Sequence, residues 1–394
     1  VSKTLRPQTI LIIACTFKGT DFIREAHRLG CRIFLITSLK HQHKPWPREC
    51  LTDIFFVDEE QDIWNIPNLI KGVSFLARTI HFDKIVPFDD YDLEKAAALR
   101  EHLRVAGMGD TRVRYFRDKF AMRAKADEDG IPIPEFVHVL NYDRIRAFTS
   151  MVAPPWVLKP RSKAAVQGII PVDSTEQLWE EINRLGDDQS FYLLERFIPG
   201  DVFHVEGIVY NFEVLFSKVH QYGTPPMETA RSGGLFSSFT VPAGSPEDQQ
   251  LSALNAAVVK SMGLMHGVTH TEFIRSAQDG RFYFLETSAR VGGAHINELV
   301  EASTGINLWK EWARIEALAP ESRYALPVPH AGHAGLLLTL TSRPSPDLSA
   351  FNAPEVCWKR DSDHHAGIIF RDSSAARVKQ LMQTYREAFK RDFL

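Results

Sequence analysis

Phe284-Leu285-Glu286-Thr287-Ser288-Ala289-Arg290-Val291-Gly292-Gly293 reads as a strand that closes in a tight glycine turn. Successive side chains of a strand point to opposite faces. Glu286, Ser288 and Arg290 are therefore expected on one face, with Phe284 sharing it earlier on the strand. Upstream, Gly267-Val268-Thr269-His270-Thr271-Glu272-Phe273 puts His270 and Glu272 together by the same rule. Gln278-Asp279-Gly280 between the two runs is a turn signal, so the pair should form a hairpin. Glu272 and Glu286 then face each other on one sheet surface. Like charges that close repel unless a cation lies between them, and Mg²⁺ suits a carboxylate pair completed by phosphate oxygens. Two solvated carboxylates on a one-sided antiparallel sheet would explain the same residues.

Two lysines extend the pattern. Lys119 lies in Arg117-Asp118-Lys119-Phe120, on a basic helix expected from about 113 to 129. Lys159 ends the strand Trp156-Val157-Leu158-Lys159 and enters a loop of small residues, Ala164-Ala165-Val166-Gln167-Gly168. A lysine at a strand end, followed by such a loop, can offer a point charge and backbone N–H groups to a phosphate chain. Any single lysine is more simply a solvated one, and no G-x-x-x-x-G-K-[ST] loop occurs. Phe191-Tyr192-Leu193-Leu194-Glu195-Arg196-Phe197-Ile198-Pro199-Gly200 is a strand running into an apolar linker. Its alternating backbone donors and acceptors beside apolar side chains fit the edge of a purine ring, as they fit an ordinary strand-to-turn segment.

The preceding hundred or so residues alternate apolar runs (Ile10–Ala14, Arg32–Ile36, Lys84–Pro87) with helical stretches, which indicates a parallel sheet covered on both faces. Cys15-Thr16-Phe17-Lys18-Gly19 after the first run lacks G-x-G-x-x-G, against a nicotinamide-binding domain. Residues 222–246, rich in Gly, Pro, Ser and Thr, are expected to form a long functional loop. A helix from Pro246 to Met262 follows, and strands are expected at Val205–Tyr210, Val268–Ile274 and Phe282–Ser288. The last seventy or so residues should hold one or two strands near Gly335–Thr341, a turn at Asp361–His365 and a helix near Ala375–Phe389.

The 394 residues carry 24% charged side chains and a formal net charge of −3, which gives no electrostatic case for nucleic acid or an anionic membrane. No apolar run approaches the ~20 residues of a membrane span. Val1-Ser2-Lys3-Thr4-Leu5-Arg6-Pro7 leads straight into a strand-like run with no secretory h-region. Cys15, Cys31, Cys50 and Cys357 are scattered without metal spacing, so reduced thiols in a cytoplasmic protein are expected.

Taken in order, Arg117-Asp118-Lys119, Leu158-Lys159-Pro160, Leu194-Glu195-Arg196-Phe197-Ile198-Pro199-Gly200, His270-Thr271-Glu272 and Glu286-Thr287-Ser288-Ala289-Arg290-Val291-Gly292-Gly293 resemble the ATP-grasp superfamily. The likeness is to its carboxylate–amine ligase branch, which includes L-amino acid ligases and biotin carboxylase-like enzymes, and it covers roughly residues 115–312. The resemblance implies an α/β (α+β) fold: an N-terminal parallel-sheet domain over 1–112, then an ATP-grasp domain over 113–320 with nucleotide held between two subdomains. A lid at about 150–200 and a C-terminal α+β subdomain over 321–394 complete it. It further implies ATP and Mg²⁺, with Mn²⁺ as the alternative ion. Lys119 and Lys159 would hold phosphates, Glu195, Arg196, Phe197 and Ile198 would form the adenine hinge, and Asp201 would take the ribose, with His204 beside the nucleotide. Glu272, Glu286 and Ser288 would bind metal, Ser288 standing where the family usually carries Asn. Arg290 would orient the substrate carboxylate, aided by Gly292, Gly293, His270 and Glu206.

The activity implied is a ligase that converts a carboxylate into an acyl phosphate and passes the acyl group to an amine, releasing ADP and phosphate. A biotin carboxylase-like enzyme and a non-catalytic ATP-binding protein are the alternatives. Arg231, in Arg231-Ser232-Gly233-Gly234, is a candidate for a second substrate carboxylate and equally a solvated loop arginine. Small carboxylates and amines are the expected partners, with a homodimer as the expected assembly.

Overall fold

Alternate residues of the first strand enter two different cores, and that division sets the architecture of the N-terminal part. The computed structural model describes residues 7–59, 64–164, 166–232, 234–319 and 322–394. Residues 1–6, Ala165 and Gly233, named above, lie outside the described residues. Strands β1 (Thr9–Ala14), β2 (Arg32–Ser38), β3 (Asp53–Val57) and β4 (Lys84–Pro87) form a parallel sheet in the order β3-β2-β1-β4. Ile10, Ile12 and Ala14 pack with the helix Thr20–Arg28, while Leu11 and Ile13 pack with Leu69 and Val73 of the helix Ile66–Leu76. Both faces are covered, as continuous apolar strands require. The strand β4 delivers the chain to a helix, Asp90–Leu103, whose first residue is buried.

A second sheet is antiparallel and built from β5 (Phe136–His138), β6 (Trp156–Pro160), β7 (Ile170–Val172) and β8 (Tyr192–Arg196), in the order β5-β8-β6-β7. The largest sheet holds β9 (Gly200–Tyr210), β10 (Glu213–Tyr222), β11 (Phe236–Thr240), β12 (His266–Ser276), β13 (Phe282–Ser288), β14 (His333–Leu340), β15 (Val356–Arg360) and β16 (His365–Asp372). Its order is β13-β12-β9-β10-β11-β14-β16-β15. On β9 the odd positions Phe203, Val205 and Val209 join a core with Leu251, Val258 and Val259 of the helix Pro246–Met262. The even positions His204 and Glu206 point to the other face, and those residues are wholly buried.

Several expectations change here. The basic helix begins at Lys119, not near 113, because Asp118 caps it: Oδ1 accepts from the backbone N–H of Phe120 at 2.9 Å and of Ala121 at 3.3 Å. Residues 222–246 are not one loop. They contain a helix, Pro226–Ser232, and the strand β11, whose backbone pairs with β10 and β14. The C-terminal segment contributes three strands that continue the large sheet through β11, and its helix runs from Ala375 to Phe393. Finally, Phe284 does not share a face with Glu286. The register slips between them, with Glu272 opposite Glu286 but Phe273 opposite Phe284. The extra residue, Leu285, is a β-bulge, and it sends Phe284 into the apolar core beside Phe273 at 6.0 Å between ring centres.

Asp118 also accepts from Arg161 Nε at 3.0 Å, which ties the helix to the turn after β6. Asp118→Ala should lower stability by about 1–2 kcal/mol, read as a lower urea midpoint at constant slope. Asp118→Asn, which keeps an N-cap acceptor, should recover most of that loss; equal losses in the two variants would refute the capping account.

Candidate active site

Strand register assembles the carboxylates. Glu272 on β12 stands opposite Glu286 on β13, and His270 on β12 stands opposite Glu206 on β9. Each carboxylate meets a donor from the protein. Lys119 Nζ lies 2.7 Å from Glu286 Oε2 and donates to the Lys163 carbonyl at 2.8 Å. The Tyr222 hydroxyl donates to Glu272 Oε1 at 2.7 Å, and His270 Nε2 lies 3.5 Å from the same oxygen. Glu206 Oε1 is 2.6 Å from His270 Nδ1 and 2.8 Å from His204 Nδ1, and His204 Nε2 reaches Ser238 Oγ at 2.7 Å.

Burial disfavours the charged imidazole of His270, but the Glu206 charge, its hydrogen bond and that of Glu272 outweigh it, so the pKa is pushed up to about 10. Burial opposes the charge on Glu206 too, and His270 and His204 still hold its carboxyl well below the usual range. Burial lowers His204, with Glu206 working the other way. The ligand atoms of His204, Glu206 and His270 lie within 4.8 Å of one another, close enough to suggest a metal. Glu206 Oε1 is at hydrogen-bond distance from both rings, while the buried Oε2 has no hydrogen-bond partner. Gly292 roofs it. A Cβ there would lie 3.0 Å from Glu206 Oε2 and 3.1 Å from His270 Nδ1, tight enough that one of the two would have to shift.

The second anchor is buried on β8. Glu195 is 1% exposed and accepts from Arg123 Nε at 2.9 Å and Lys159 Nζ at 2.7 Å. Burial would raise its pKa, but those two cations lower it below the ordinary value. Arg123 further donates to the carbonyl of Leu285, the bulge residue. The Glu195 carboxylate therefore points inward, and its backbone lies inside the sheet, in register with Phe136 on β5 and Val157 on β6, so the residue does not present the free edge expected of it.

Arg290 has a partner that sequence reasoning missed. Asp90, at the start of the helix after β4, accepts from Arg290 Nε at 2.8 Å and its Oδ2 lies 2.6 Å from Nη2. Its other oxygen bonds the Ser288 hydroxyl. Burial works against the charge on Asp90, yet Arg290 and Ser288 hold its pKa far below normal, and Arg290 is raised in turn. The signal was present: Asp89-Asp90 lies one residue past a parallel strand, and ligands gather at the carboxyl ends of such strands.

The remaining candidates are more dispersed. Arg196 Nε pairs with Glu135 Oε2 at 2.6 Å, and the Phe197 N–H donates to the Pro155 carbonyl at 3.0 Å. Ile198 is buried with Val202, Tyr222 and Ile274. Asp201 is exposed and pairs with Arg275 at 2.7 Å. Arg231 lies exposed on the helix Pro226–Ser232, and Gly293 has open space around its Cα. As a whole, the face offers hard oxygen ligands at Glu272, Glu286 and Ser288, which suit Mg²⁺, with Lys119 in the same cluster and Arg290 held by way of Ser288 and Asp90.

No family model matches the chain. It is 25% identical over 264 residues to an L-arginine-specific L-amino acid ligase of Bacillus subtilis, covering 65% of this chain and 62% of that protein. The chain thus spans less than two thirds of that relative. Among solved structures, an L-amino acid ligase from Bacillus licheniformis superposes with a TM-score of 0.73 at 19% identity, covering 98% of both chains. The biotin carboxylase domain of a Hydrogenobacter thermophilus 2-oxoglutarate carboxylase, crystallised with MgADP and bicarbonate, gives 0.71 at 15% identity, covering 95% of this chain and 88% of that one.

The charged His270 contributes stability fully below its ordinary pKa of 6.5 and loses it as pH rises toward about 10. His270→Gln should cost about 3–5 kcal/mol at pH 6. The gap in melting temperature between the variant and the wild type should narrow steadily up to pH 10. A gap that stays flat over that window would mean His270 is held neutral.

Proposed function

We propose that this chain, which has the ATP-grasp fold, is an ATP-dependent carboxylate–amine ligase that forms an amide or peptide bond through an acyl phosphate. The observation that carries this reading is the single sheet face on which Glu272 opposes Glu286 and Ser288 shares Asp90 with Arg290. A bound Mg²⁺ on Glu272, Glu286 and Ser288 would neutralise charge on the transferring phosphoryl group. Lys119 exchanges Glu286 for a nucleotide phosphate, and Lys159, still held by the buried Glu195, adds its charge beside it, which lowers the charge those phosphates present to an incoming anion. Arg290, held by Asp90, orients the substrate carboxylate beside the terminal phosphate. One carboxylate oxygen attacks that phosphorus and ADP leaves. The amine nitrogen then attacks the acyl carbon, the C–O bond to phosphate breaks, and the amine gives up a proton as the amide forms.

Amino acids are the proposed substrate class, since the relative matched over 264 residues acts on them by name. Arg231, exposed on the helix that precedes β11, is the proposed contact for a second carboxylate. The four free cysteines accord with a reducing, cytoplasmic setting.

ADP release with Mg²⁺-ATP across a panel of amino acids, with and without bicarbonate, tests the reading. ADP plus a new amide is expected, with Glu286→Ala lowering the rate roughly 100-fold or more. Turnover that needs bicarbonate alone, or AMP as product, would displace the proposal. Asp90→Asn should raise the KM for the carboxylate about 10- to 100-fold while the KM for ATP holds; a rise confined to ATP would remove Asp90 from carboxylate positioning.

A further inference from the structure

Arg100 differs from the other inward-turned arginines. Arg123 has Glu195 and Arg290 has Asp90, each with a carboxylate at hydrogen-bond distance. The guanidinium of Arg100 instead donates to backbone carbonyls only: Nε to Ile85 at 3.1 Å, Nη1 to Met108 at 3.1 Å, and Nη2 again to Ile85. Carbonyl dipoles position the group but give it no carboxylate at hydrogen-bond distance, which is costly in a partly desolvated place. Burial pulls the pKa of Arg100 down to about 10, with Glu316 acting the other way.

A cavity of about 110 Å³ adjoins this guanidinium, between the parallel sheet and the start of β12. Lys84 and Arg112 also line it. Arg112 is exposed and makes no ion pair among the described residues. The one carboxylate in the lining, Glu316, already lies 3.6 Å from Lys84 Nζ and accepts from Trp312 Nε1 at 3.1 Å. Three cations against one committed carboxylate leave a positive excess. A Cβ at Gly107 would meet Arg100 Nε at 2.8 Å, so a side chain there would displace the guanidinium.

We infer that this cavity is a binding site for a small oxyanion of phosphate size, taken by Arg100 and Arg112 with Lys84 at its edge. Planar guanidinium groups bind oxyanions through paired N–H bonds, and an anion here would supply a counter-charge at hydrogen-bond distance. The site shares no residue with the face proposed for nucleotide and carboxylate, so it stands whether or not that reading holds. Arg100 belongs to the helix that begins at Asp90, and an anion here would sit against the element that holds Arg290.

Titration calorimetry with inorganic phosphate through the millimolar range tests the site, on the wild type and on Arg112→Ser, Arg100→Met and Lys159→Met. Saturable binding weakened at least about 10-fold by Arg112→Ser and by Arg100→Met, and unchanged by Lys159→Met, is expected. Should Arg100→Met fail to fold, the exposed Arg112 still decides the outcome. Absence of saturable binding to the wild type would overturn the inference. So would binding that survives Arg112→Ser, or that Lys159→Met abolishes, since the phosphate would then lie among the nucleotide lysines.

Discussion

Carboxylates crowded on one sheet face repel, and much of the centre of this protein answers that constraint. Glu206, Glu272 and Glu286 lie on adjacent antiparallel strands, where neighbouring chains are only ~5 Å apart. Each is held by a donor from another element: His270 from β12, Tyr222 from β10, Lys119 from the capped helix. Removing water makes each pairing stronger and each unpaired charge more costly. The face is therefore rigid where the carboxylates are buried and ready to exchange partners where they are not. Lys119 and Glu286, at 9% and 28% side-chain exposure, are of the second kind.

The same logic joins the two halves of the molecule. Asp90 is delivered by the parallel sheet, while Ser288 and Arg290 come from the end of the hairpin. A buried carboxylate bonded to a guanidinium and a hydroxyl fixes Arg290 from outside its own sheet. Glu195 plays the corresponding part on β8, where one carboxylate holds a helix arginine and a strand lysine. Both anchors bring cations and anions from distant parts of the chain into register, and so both bear on geometry as much as on stability.

Short-range chemistry was readable from residue order. The helix Pro246–Met262 was legible because Ser245 caps it, Pro246 opens it and Gly263 closes it in the left-handed region. The hairpin of β12 and β13 was legible from period-two alternation and the Asp279-Gly280 turn, and it carried the Glu272–Glu286 pairing with it. Phe284 was misplaced because a bulge follows from the fit between two strands and leaves no mark on either one alone. Strand β11 went unseen for a related reason. Phe236–Thr240 is too short and too rich in serine to declare itself, and its identity comes from the edges of β10 and β14 on either side.

The sequence by itself determined the alternation of parallel-sheet units with a later antiparallel hairpin, the capped helices, and which residues could bear charge toward a phosphate. Those follow from interactions spanning a few residues, which are nearly independent of the rest of the chain. Tertiary structure alone decided that Asp90 holds Arg290, that Glu195 turns inward to Arg123, and that Gly292 lies close against Glu206 and His270. Each of those depends on groups separated by many residues and drawn together by packing. Their energies depend on burial that exists only once the sheets have closed over them.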